Sequence, residues 1–568
     1  MKQAELILEL TNPYIKEEAE GVQRASASAR IIYVDGNLSE SQSHFEFTAP
    51  TGPIEAEELS WYLERYHVWP TGVFENRAKN VESQLPEWGN ALYRQMADSK
   101  EGQKILQKWT KSEKPRSFTV SVNPTGDLSN AAAELLSLPW ELLHDSKDFL
   151  FKDENPVQIR RKIEGIQTEE IKIADLPVRI LLVSPRPEGF GISYIDHRIS
   201  SIPLVEAIEN LSGNVELTIL TPPTLQALRQ ELYSASEKGT PYHVVHFDGH
   251  GVYDSGQGFL LFEDPNDADK THGRGSELVP AQKIARIMKQ FRAPLFFLEA
   301  CQTAKTDKDP TSSTAGTLIQ NGIPAVVAMS HSVLVETARR FVIDFYKSLV
   351  TGKTVSQAVA SGQRALKKDA YRFKIFGAGS LHLQDWFVPV LFQNRDVHLF
   401  KGIDQIQQPE PVANKTANLP PDPEHTFIGR SRELLALERL LSLKSWAALI
   451  GTGGEGKTTI AVEFARWLVR SQRMDRAVFV SVEHYTDARI LLDAIGTQLV
   501  ESYTVAKYKD EELLTEAVKP LEHAMQQHKT IVVIDNMESI LPPPDYDESK
   551  KDDYANLLYD RESLGKRR

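Results

Sequence analysis

The sequence predicts an α/β protein whose central domain is a mostly parallel sheet with helices on both faces. Between residues 178 and 392, continuous apolar runs typical of buried strands alternate with amphipathic runs typical of helices. Residues 403–424 are rich in Pro, Gln and Asn and show neither period, which is typical of an extended linker. Beyond this linker, an apolar run, a glycine-rich loop and a helix-like run follow one another, so a second α/β domain is expected.

The central domain contains six strand candidates. In chain order they are VRILLVS (178–184), VELTIL (215–220), YHVVHFD (242–248), APLFFLEA (293–300), IPAVVAM (323–329) and FVPVLF (387–392). Helix candidates between them include TLQALRQELYSA (224–235), AQKIARIMKQF (281–291) and VETARRFVIDFYKSL (335–349). Because the strand candidates are almost wholly apolar, helices are expected on both faces of the sheet.

The first part of the chain has a different pattern. Residues 1–170 contain the strand-like runs ELILELT, RIIYVDG and SFTVSVN, the helix-like runs EAEELSWYLERYHV and VESQLPEWGNALYRQMAD, and no motif that carries chemistry. We expect them to form an α+β region that packs on the central domain. The predicted segments are 1–170, the α+β region; 171–402, the central domain; 403–424, the linker; 425–545, the second α/β domain; and 546–568, a charged, disordered tail.

The composition limits the function and the compartment. Of 568 residues, 41% are hydrophobic and 25% are charged, and the net charge of -13 argues against a general nucleic-acid binder. A single cysteine excludes internal disulfides and is typical of a reducing compartment. The N-terminal stretch MKQAELILELTNPYIKEEAEG carries acidic groups where a signal peptide is apolar, and no apolar run approaches the roughly 18 residues of a membrane helix. A cytoplasmic protein without a membrane segment or a nucleic-acid partner is expected.

The single cysteine, Cys301, directly follows the strand candidate APLFFLEA, and His250 stands in a GHG triplet after the strand candidate YHVVHFD. Catalytic groups in a parallel α/β sheet collect beyond the carboxyl ends of the strands, so neighbouring strands would bring both residues to one edge. An imidazole there can take the thiol proton, and the thiolate is the strong nucleophile. The flanking glycines would let the backbone turn sharply, and the backbone N–H groups of Gly251 and Cys301 would form an oxyanion hole.

Other interpretations compete with this dyad. A lone free cysteine is typical of a small buried apolar side chain, and a histidine at a strand end is more often structural than catalytic. His272, in THGRG, has no apolar strand before it, and His331, after IPAVVAM, has no flanking glycines. His243 and His246 lie inside YHVVHFD and are predicted to face packing partners.

VVHFDGHG followed by FFLEACQTA resembles the CHAT family of caspase-like cysteine peptidases. The resemblance takes in LPWELLHD (138–145), VRILLVSPRPEG (178–189), GTLIQNGIPAVVAM (316–329) and FYKSLVTGKTVSQAVASGQRAL (345–366), and covers most of residues 130–400. It implies a caspase-like fold with His250 as general base and Cys301 as nucleophile. The spacing agrees with the caspase signature, whose histidine lies about 50 residues before the cysteine. Because LEA precedes Cys301 where caspases carry a glutamine–alanine pair, aspartate specificity does not carry over.

Glu299, two residues before Cys301, is a candidate for the pocket that holds the substrate side chain. A carboxylate in this pocket would favour a basic residue at the cleavage point. A structural hydrogen-bonding role is the alternative, because Glu299 shares a strand face with the cysteine only if regular alternation continues to the nucleophile.

A second site is predicted at GTGGEGKT, Gly451–Thr458, which matches G-x-x-x-x-G-K-[ST] in full. The loop follows the strand candidate WAALI (446–450) and opens the helix-like run TIAVEFARWLV, the context that the motif requires. Backbone N–H groups would hold phosphates, Lys457 would reach the β- and γ-phosphates, and Thr458 would bind Mg²⁺. The predicted loop residues for nucleotide binding are Gly451, Thr452, Gly453, Gly454, Glu455, Gly456, Lys457, Thr458 and Thr459.

Two further segments support nucleotide binding. TIVVIDNMES (530–539) is predicted to be a strand ending in Asp535, whose carboxylate would hold the same Mg²⁺; an ordinary parallel strand is the alternative. HTFIGRSRELLALERLL (425–441) resembles the segment that leads into signalling ATPases of the STAND or NB-ARC type. This resemblance implies that Phe427, Ile428, Gly429 and Arg430 lie near the adenine of ATP or ADP.

The length after this loop departs from the STAND pattern. STAND proteins continue with more of the ATPase core, a winged-helix segment and a repeat array, whereas this sequence ends soon after Asp535. We therefore expect a partial ATPase module that binds ATP or ADP with Mg²⁺ and hydrolyses ATP slowly, if at all.

The sequence thus predicts a cysteine endopeptidase that cleaves a protein substrate and is regulated, or assembled with further copies, through an ATP-binding module. The family resemblance implies a role in bacterial defence or programmed-death signalling. Two alternatives stay open: an ATP-binding signalling scaffold with an inert peptidase-like domain, and an acyltransferase or other thiol hydrolase that uses the same dyad.

Overall fold

The computed structural model describes residues 3–17, 22–123, 129–152, 156–166, 170–189, 191–196, 198, 201–211, 213–254, 257–302, 310–375, 379–403, 415–421, 427, 429–483, 488–507 and 514–539. The chain forms two compact units: Met1–Glu216, Pro222–Ala268 and Gly273–Gln408 make up the first, and the remaining residues make up the second. Most of the predicted linker and all of the predicted tail lie outside the described residues.

The elements of the chain follow one another in three groups. The first group is β1 (Ala4–Glu17), β2 (Gln23–Asp35), β3 (Leu38–Ser41), β4 (Phe45–Thr48), α1 (Pro53–Glu64), α2 (Val73–Met96), α3 (Lys100–Thr110), β5 (Arg116–Asn123), α4 (Asn130–Ser137) and β6 (Gln158–Ile163). The second is β7 (Val178–Val183), α5 (Ser201–Glu209), β8 (Val215–Ile219), α6 (Leu225–Glu237), β9 (Val244–Asp254), β10 (Gln257–Glu263), β11 (Ser276–Pro280), α7 (Ala281–Gln290), β12 (Leu295–Gln302), α8 (Pro310–Gln320), β13 (Ala325–Met329), α9 (Val335–Val350), α10 (Val355–Lys368), β14 (Tyr371–Ile375), β15 (Gly379–His382) and β16 (Pro389–Gln393). The third is α11 (Ser431–Leu443), α12 (Lys457–Arg470), β17 (Arg476–Ser481), α13 (Ala488–Leu499), α14 (Leu514–Gln527) and β18 (Thr530–Asp535). No helix in the described part of the chain is long and apolar enough to cross a membrane.

One sheet of 14 strands, counted over the described residues, runs through the first and second groups of elements. In its middle, β9 lies between β7 and β12, and β12 pairs with β13, all in parallel. The order continues through β16, β6, β5, β1, β2 and β3, so strands of the predicted α+β region join the same sheet. The predicted fold class, a large and mostly parallel sheet with helices, is confirmed.

The apolar strand runs explain why these strands lie at the centre. In β12, the ring of Phe297 lies 5.7 Å from that of Phe345 on α9, whereas the preceding residue, Phe296, contacts Phe247 of β9. Successive side chains point to opposite faces, so each face needs apolar cover. Because β9 and β12 are parallel neighbours, their carboxyl ends meet at the same edge of the sheet.

β9 continues past the end that the sequence predicted. The prediction was a strand that stops at Asp248 and turns sharply at the two glycines, but β9 runs on to Asp254. β10 pairs antiparallel with its last four residues, and β12 pairs with it as far as Gly251. Both neighbours supply ladder partners, so the backbone stays extended through the GHG triplet.

The second unit contains the parallel pair β17 and β18, with Ser481 opposite Asp535 at its carboxyl end. Leu434 of α11 packs with Phe464 of α12 in one apolar cluster. Leu419, which the sequence assigned to the linker, is buried in another cluster with α12.

The strand predicted at WAALI (446–450) is not formed. Residues 446–450 have no strand pairing, and the side chains of Trp446 and Ile450 are 73% and 94% exposed. A strand is stable only beside another strand, and among the described residues β18 pairs only with β17. An apolar run was therefore insufficient to specify a strand at this position.

Candidate functional site

His250 and Cys301 occupy directly opposite positions on two neighbouring strands. The parallel register of β9 and β12 is unbroken from Val244 opposite Leu295 to Gly251 opposite Gln302, and it pairs His250 with Cys301. Neighbouring strands lie about 4.8 Å apart, so the two backbones are close. The side chain of Cys301 is outside what the structure describes. The structure thus brings together the two positions that the sequence selected.

His250 is buried, with 1% of its surface exposed. Its ring donates a hydrogen bond to the backbone carbonyl of Ser193, and Nδ1 has no hydrogen-bond partner in the described part of the chain. Nε2 is therefore the nitrogen that carries the proton, and Nδ1 is the basic one. Burial, followed by the positive charge of Arg186, lowers the pKa of His250, so its imidazole is neutral at neutral pH.

A buried ion pair that the sequence analysis did not identify lies beside this histidine. Asp248, two residues before His250 on β9, accepts hydrogen bonds from the Arg186 guanidinium and from the Ser184 hydroxyl, the latter at 3.0 Å. Both members of the pair are nearly fully buried. The arginine stands in the SPRPEG segment, just after the apolar run of β7, and the aspartate ends the run YHVVHFD; a charged residue beside each of two strand candidates was the available signal.

A second buried pair supports the first. Arg274 donates to the Glu263 carboxylate at 2.7 Å, and the backbone N–H of Arg186 donates to the other oxygen of Glu263 at 3.2 Å. The segment after β7 is thereby bonded to both β9 and β10.

The two glycines around His250 have different surroundings. A Cβ on Gly249 would lie 3.1 Å from the Phe247 ring and 3.3 Å from Pro185, so glycine allows these groups to approach closely. Gly251 is paired in register with Leu260 on one side and Gln302 on the other. The oxyanion hole formed by Gly251 and Cys301 stays a prediction.

Glu299 is buried on β12 opposite Asp248. One carboxylate oxygen lies 3.3 Å from Nε2 of His246, and Nδ1 of His246 lies 3.4 Å from the hydroxyl of Tyr346. His246 also stacks on Phe297, with centroids 4.2 Å apart, so it does face packing partners. Burial and the charge of Glu299 raise the pKa of Tyr346, which therefore stays a neutral hydroxyl.

The competing histidines have partners of their own. Nδ1 of His331 lies 3.1 Å from the Ser330 hydroxyl, and Nδ1 of His272 lies 3.0 Å from a threonine hydroxyl. His243 accepts a hydrogen bond from the backbone N–H of Arg179 at 3.0 Å, and burial lowers its pKa to about 4. None of these three is a register partner of Cys301 in the described ladders.

In the second unit, the glycine-rich loop closes onto the start of α12. Gly454 and Gly456 have φ angles of 81° and 83°, a region that favours glycine. Lys457, the first residue of α12, donates from Nζ to the carbonyl oxygens of Gly451 and Thr452, both at 3.0 Å. The lysine ammonium and the N-terminus of α12 therefore lie at the same loop.

Thr458 and Asp535, which lie 77 residues apart, are in contact. The threonine hydroxyl lies 2.9 and 3.0 Å from the two carboxylate oxygens. A hydroxyl and a carboxylate beside a lysine and a helix N-terminus form the donor set that a magnesium nucleotide requires. The residues present fit this group.

Among the remaining predicted nucleotide-binding residues, Arg430 is bonded to this loop and Glu455 forms hydrogen bonds within it. Glu455 accepts hydrogen bonds from the hydroxyl and the N–H of Thr452, and these bonds lower the pKa of Glu455. Arg430 donates to the backbone carbonyl of Glu455 at 3.1 Å. Phe427 packs against the α11–α12 cluster, whereas Ile428 lies outside the described residues. A Cβ added at Gly453 would meet no described atom within 4 Å, Gly429 has a φ of 80°, and Thr459 is exposed on α12.

Two family models match the chain. Residues 128–418, just over half of the 568, match the family described as CHAT domain, and residues 441–565 match the family described as AAA domain. No curated protein matches.

Solved structures with detectable similarity include two crystal structures of the Saccharomyces cerevisiae separase–securin complex. They are 10% and 11% identical, with TM-scores of 0.35 and 0.36, and each match covers 70% of this chain. The chain spans 30% of the separase-complex chains that it matches. Chaetomium thermophilum Raptor is 9% identical, with a TM-score of 0.23, over 64% of this chain and 36% of the Raptor chain.

Proposed function

The chain belongs to the CHAT-domain family, and from this premise we propose that it is a caspase-like cysteine endopeptidase governed by a nucleotide-binding P-loop module. The observation that carries the proposal is the unbroken β9–β12 register, which sets His250 opposite the single cysteine, Cys301. The buried Nδ1 of His250, which has no hydrogen-bond partner among the described residues, supports a general-base role.

In the proposed reaction, Nδ1 of His250 takes the proton of the Cys301 thiol as the sulfur attacks the scissile carbonyl carbon. The C–N bond then breaks, and the imidazolium returns this proton to the departing amine, leaving a thioester on the cysteine. A water molecule hydrolyses the thioester, with the same imidazole taking and returning a proton. Because burial keeps the imidazole neutral, it is ready to act as a base before substrate binds.

The backbone N–H groups of Gly251 and Cys301 are proposed to stabilise the oxyanion of each tetrahedral intermediate. Glu299 is proposed to favour a basic side chain at the cleavage point. Its carboxylate lies on β12 two residues before the nucleophile, and its only described hydrogen bond is the long one to His246. One long contact leaves acceptor capacity on the carboxylate for a substrate ammonium or guanidinium.

The P-loop module is proposed to bind ATP or ADP with Mg²⁺. Lys457 would hold the β- and γ-phosphates, and Thr458 and Asp535 would ligate the metal, whose charge offsets that of the phosphates. Arg430 donates a hydrogen bond to the backbone carbonyl of Glu455 in the loop, and this contact supports the proposal, taken from the STAND and NB-ARC resemblance, that residues 427–430 lie near the adenine. We propose that the nucleotide state regulates the peptidase or assembles it into larger complexes.

The substrate is proposed to be another protein, and the setting to be cytoplasmic defence or programmed-death signalling in bacteria. These proposals rest on the family resemblance. An inert, ATP-binding scaffold is the alternative from a different functional class.

Thiol chemistry separates the two functions. Because Cys301 is the only cysteine, the mass added to the intact protein by iodoacetamide reports this residue alone. A peptidase should be alkylated about 10-fold or more faster at pH 7 than its His250→Ala variant, and it should cleave members of a peptide library that Cys301→Ala leaves intact. Equal alkylation rates and no cleavage, with or without ATP, would favour the scaffold.

A further inference from the structure

The segment that follows β7 carries the carbonyl group that holds the candidate general base. This carbonyl belongs to Ser193 and accepts the hydrogen bond from the His250 ring. Without this bond, the imidazole could turn or change tautomer, and Nδ1 would no longer be the defined basic nitrogen. The position of Ser193 therefore matters for proton transfer.

Arg186 is the side chain that fixes this segment to the sheet. The guanidinium donates to the backbone carbonyls of Pro185 at 2.9 Å and Asp248 at 2.8 Å, to the Asp248 carboxylate, and to the carbonyl of Asp196 at 3.4 Å. Pro185 and Asp196 lie on either side of Ser193 along the chain, and Asp248 lies on β9. One buried side chain thus bonds both ends of the segment to the strand that carries His250.

We propose that Arg186 is a positioning residue for the general base, because its guanidinium holds the Ser193 carbonyl against His250. The inference rests on the proposed peptidase function. Arg186 acts through the segment and touches no reacting atom, so it is not itself catalytic.

The chemistry of the side chain explains why an arginine is required. A guanidinium directs five N–H groups in a fixed plane, which matches several acceptors in different directions. A lysine keeps the positive charge but offers three donors from a single nitrogen and cannot reach all of these acceptors together. Arg186→Lys therefore removes the bonding pattern while it preserves the charge.

Charge and position can be separated with two further variants. The charged groups that act on His250 in the described part of the chain are Arg186 and Asp248, and Cys301 is its register neighbour. The acid limb is the pH range in which the rate of Cys301 alkylation falls because His250 becomes protonated. Removing the positive charge, in Arg186→Met, should move this limb to higher pH. Removing the negative charge, in Asp248→Asn, should move the limb to lower pH, although both variants break the same ion pair.

The closing experiment measures iodoacetamide alkylation of Cys301 against pH and, with a cleaved peptide from the library, kcat and KM. Arg186→Lys should lower the alkylation rate and kcat about 10- to 100-fold, with KM and the acid limb close to wild type. Arg372→Lys is the matched control, because Arg372 pairs with Asp385 and donates to backbone carbonyls in an equally buried setting on β14. The control should keep wild-type rates.

The outcomes discriminate between the inference and the function on which it rests. If Arg186→Lys keeps wild-type rates while His250→Ala is slow, the positioning role is overturned and the dyad stands. Equal losses in Arg186→Lys and Arg372→Lys would overturn it too, since a general loss of stability would explain both. If wild type and His250→Ala react equally fast, the dyad itself fails, and the inference fails with it.

Discussion

Arg161→Met should destabilise the first unit strongly, because it breaks a fully buried ion pair. Arg161 on β6 and Glu141, in the short 3₁₀ turn Trp140–Leu142, have side chains that are 1% and 0% exposed. The guanidinium donates to the two carboxylate oxygens at 2.7 and 2.9 Å. It also donates to the backbone carbonyls of Leu136 at 2.7 Å and Leu138 at 3.1 Å. Glu141 belongs to the LPWELLHD segment, to which the sequence assigned no physical role.

The size of the effect follows from what the methionine leaves behind. The Glu141 carboxylate would stay buried without its countercharge, and two carbonyls would lose a donor. Removing one member of such a pair costs about 3–5 kcal/mol, a large share of the roughly 5–15 kcal/mol that stabilises a typical domain. The double variant Glu141→Leu with Arg161→Met should recover the part of this loss that comes from the unpaired carboxylate, because an apolar pair of similar volume needs no countercharge; the two carbonyls still lack their donor.

The neighbouring residue on β6 provides a matched control. Arg160 pairs with Glu5, but these side chains are 13% and 21% exposed, so water reaches both. Arg160→Met should cost only about 1–2 kcal/mol. Native-state hydrogen exchange of β5 and β6 amides is the suitable measurement, since it reports the opening of the sheet that contains Arg161 rather than of the whole two-unit chain. Arg161→Met should lower the hydrogen-exchange protection factors of these amides by about two to four orders of magnitude. Equal losses in the two arginine variants, or a loss below about 1 kcal/mol at Arg161, would refute the reasoning.

Three further predictions concern the sites. Because the pKa of His250 is lowered, its imidazole stays a base at lower pH. The acid limb of Cys301 alkylation and of peptide cleavage should therefore have its midpoint below pH 6.5, roughly the ordinary imidazole pKa. A midpoint above that pH would contradict the burial argument. Cleavage of the peptide library should favour Arg or Lys at the cleavage point. Glu299→Gln should weaken this preference without changing the fold. An unaltered preference would instead assign Glu299 a structural role through its contact with His246. Lys457→Ala should weaken ATP and ADP binding, measured by calorimetry, at least about 10-fold while the alkylation rate of Cys301 stays the same.

Local sequence pattern was sufficient for much of the architecture. The strand candidates around His250 and Cys301 became β9 and β12, because an uninterrupted apolar run is stable only in the middle of a covered sheet. Their parallel pairing followed from the helix between them, α7, since a crossover connection returns the chain in the same direction. The glycine-rich loop likewise opened α12, because its spacing is tied to the start of a helix.

Other features depended on partners that local pattern does not reveal. WAALI (446–450) is apolar enough for a strand, yet strand formation requires a ladder partner, and the described residues supply none. β9 extended beyond its apolar run for the opposite reason, since β10 and β12 supplied partners on both sides of Gly251.

The sequence alone determined which residues carry the candidate chemistry: Cys301 as the single thiol, His250 after a neighbouring strand, and Lys457, Thr458 and Asp535 in a recognisable phosphate-binding pattern. Only the tertiary structure decided the environment that tunes them. Arg186 and Asp248 lie 62 residues apart, and they form a buried ion pair that fixes the segment over His250. No periodic pattern in the sequence indicates this pairing. Hydrophobic periodicity indicates whether a residue faces the solvent or the core. An ion pair depends instead on which two side chains the folded sheet brings together.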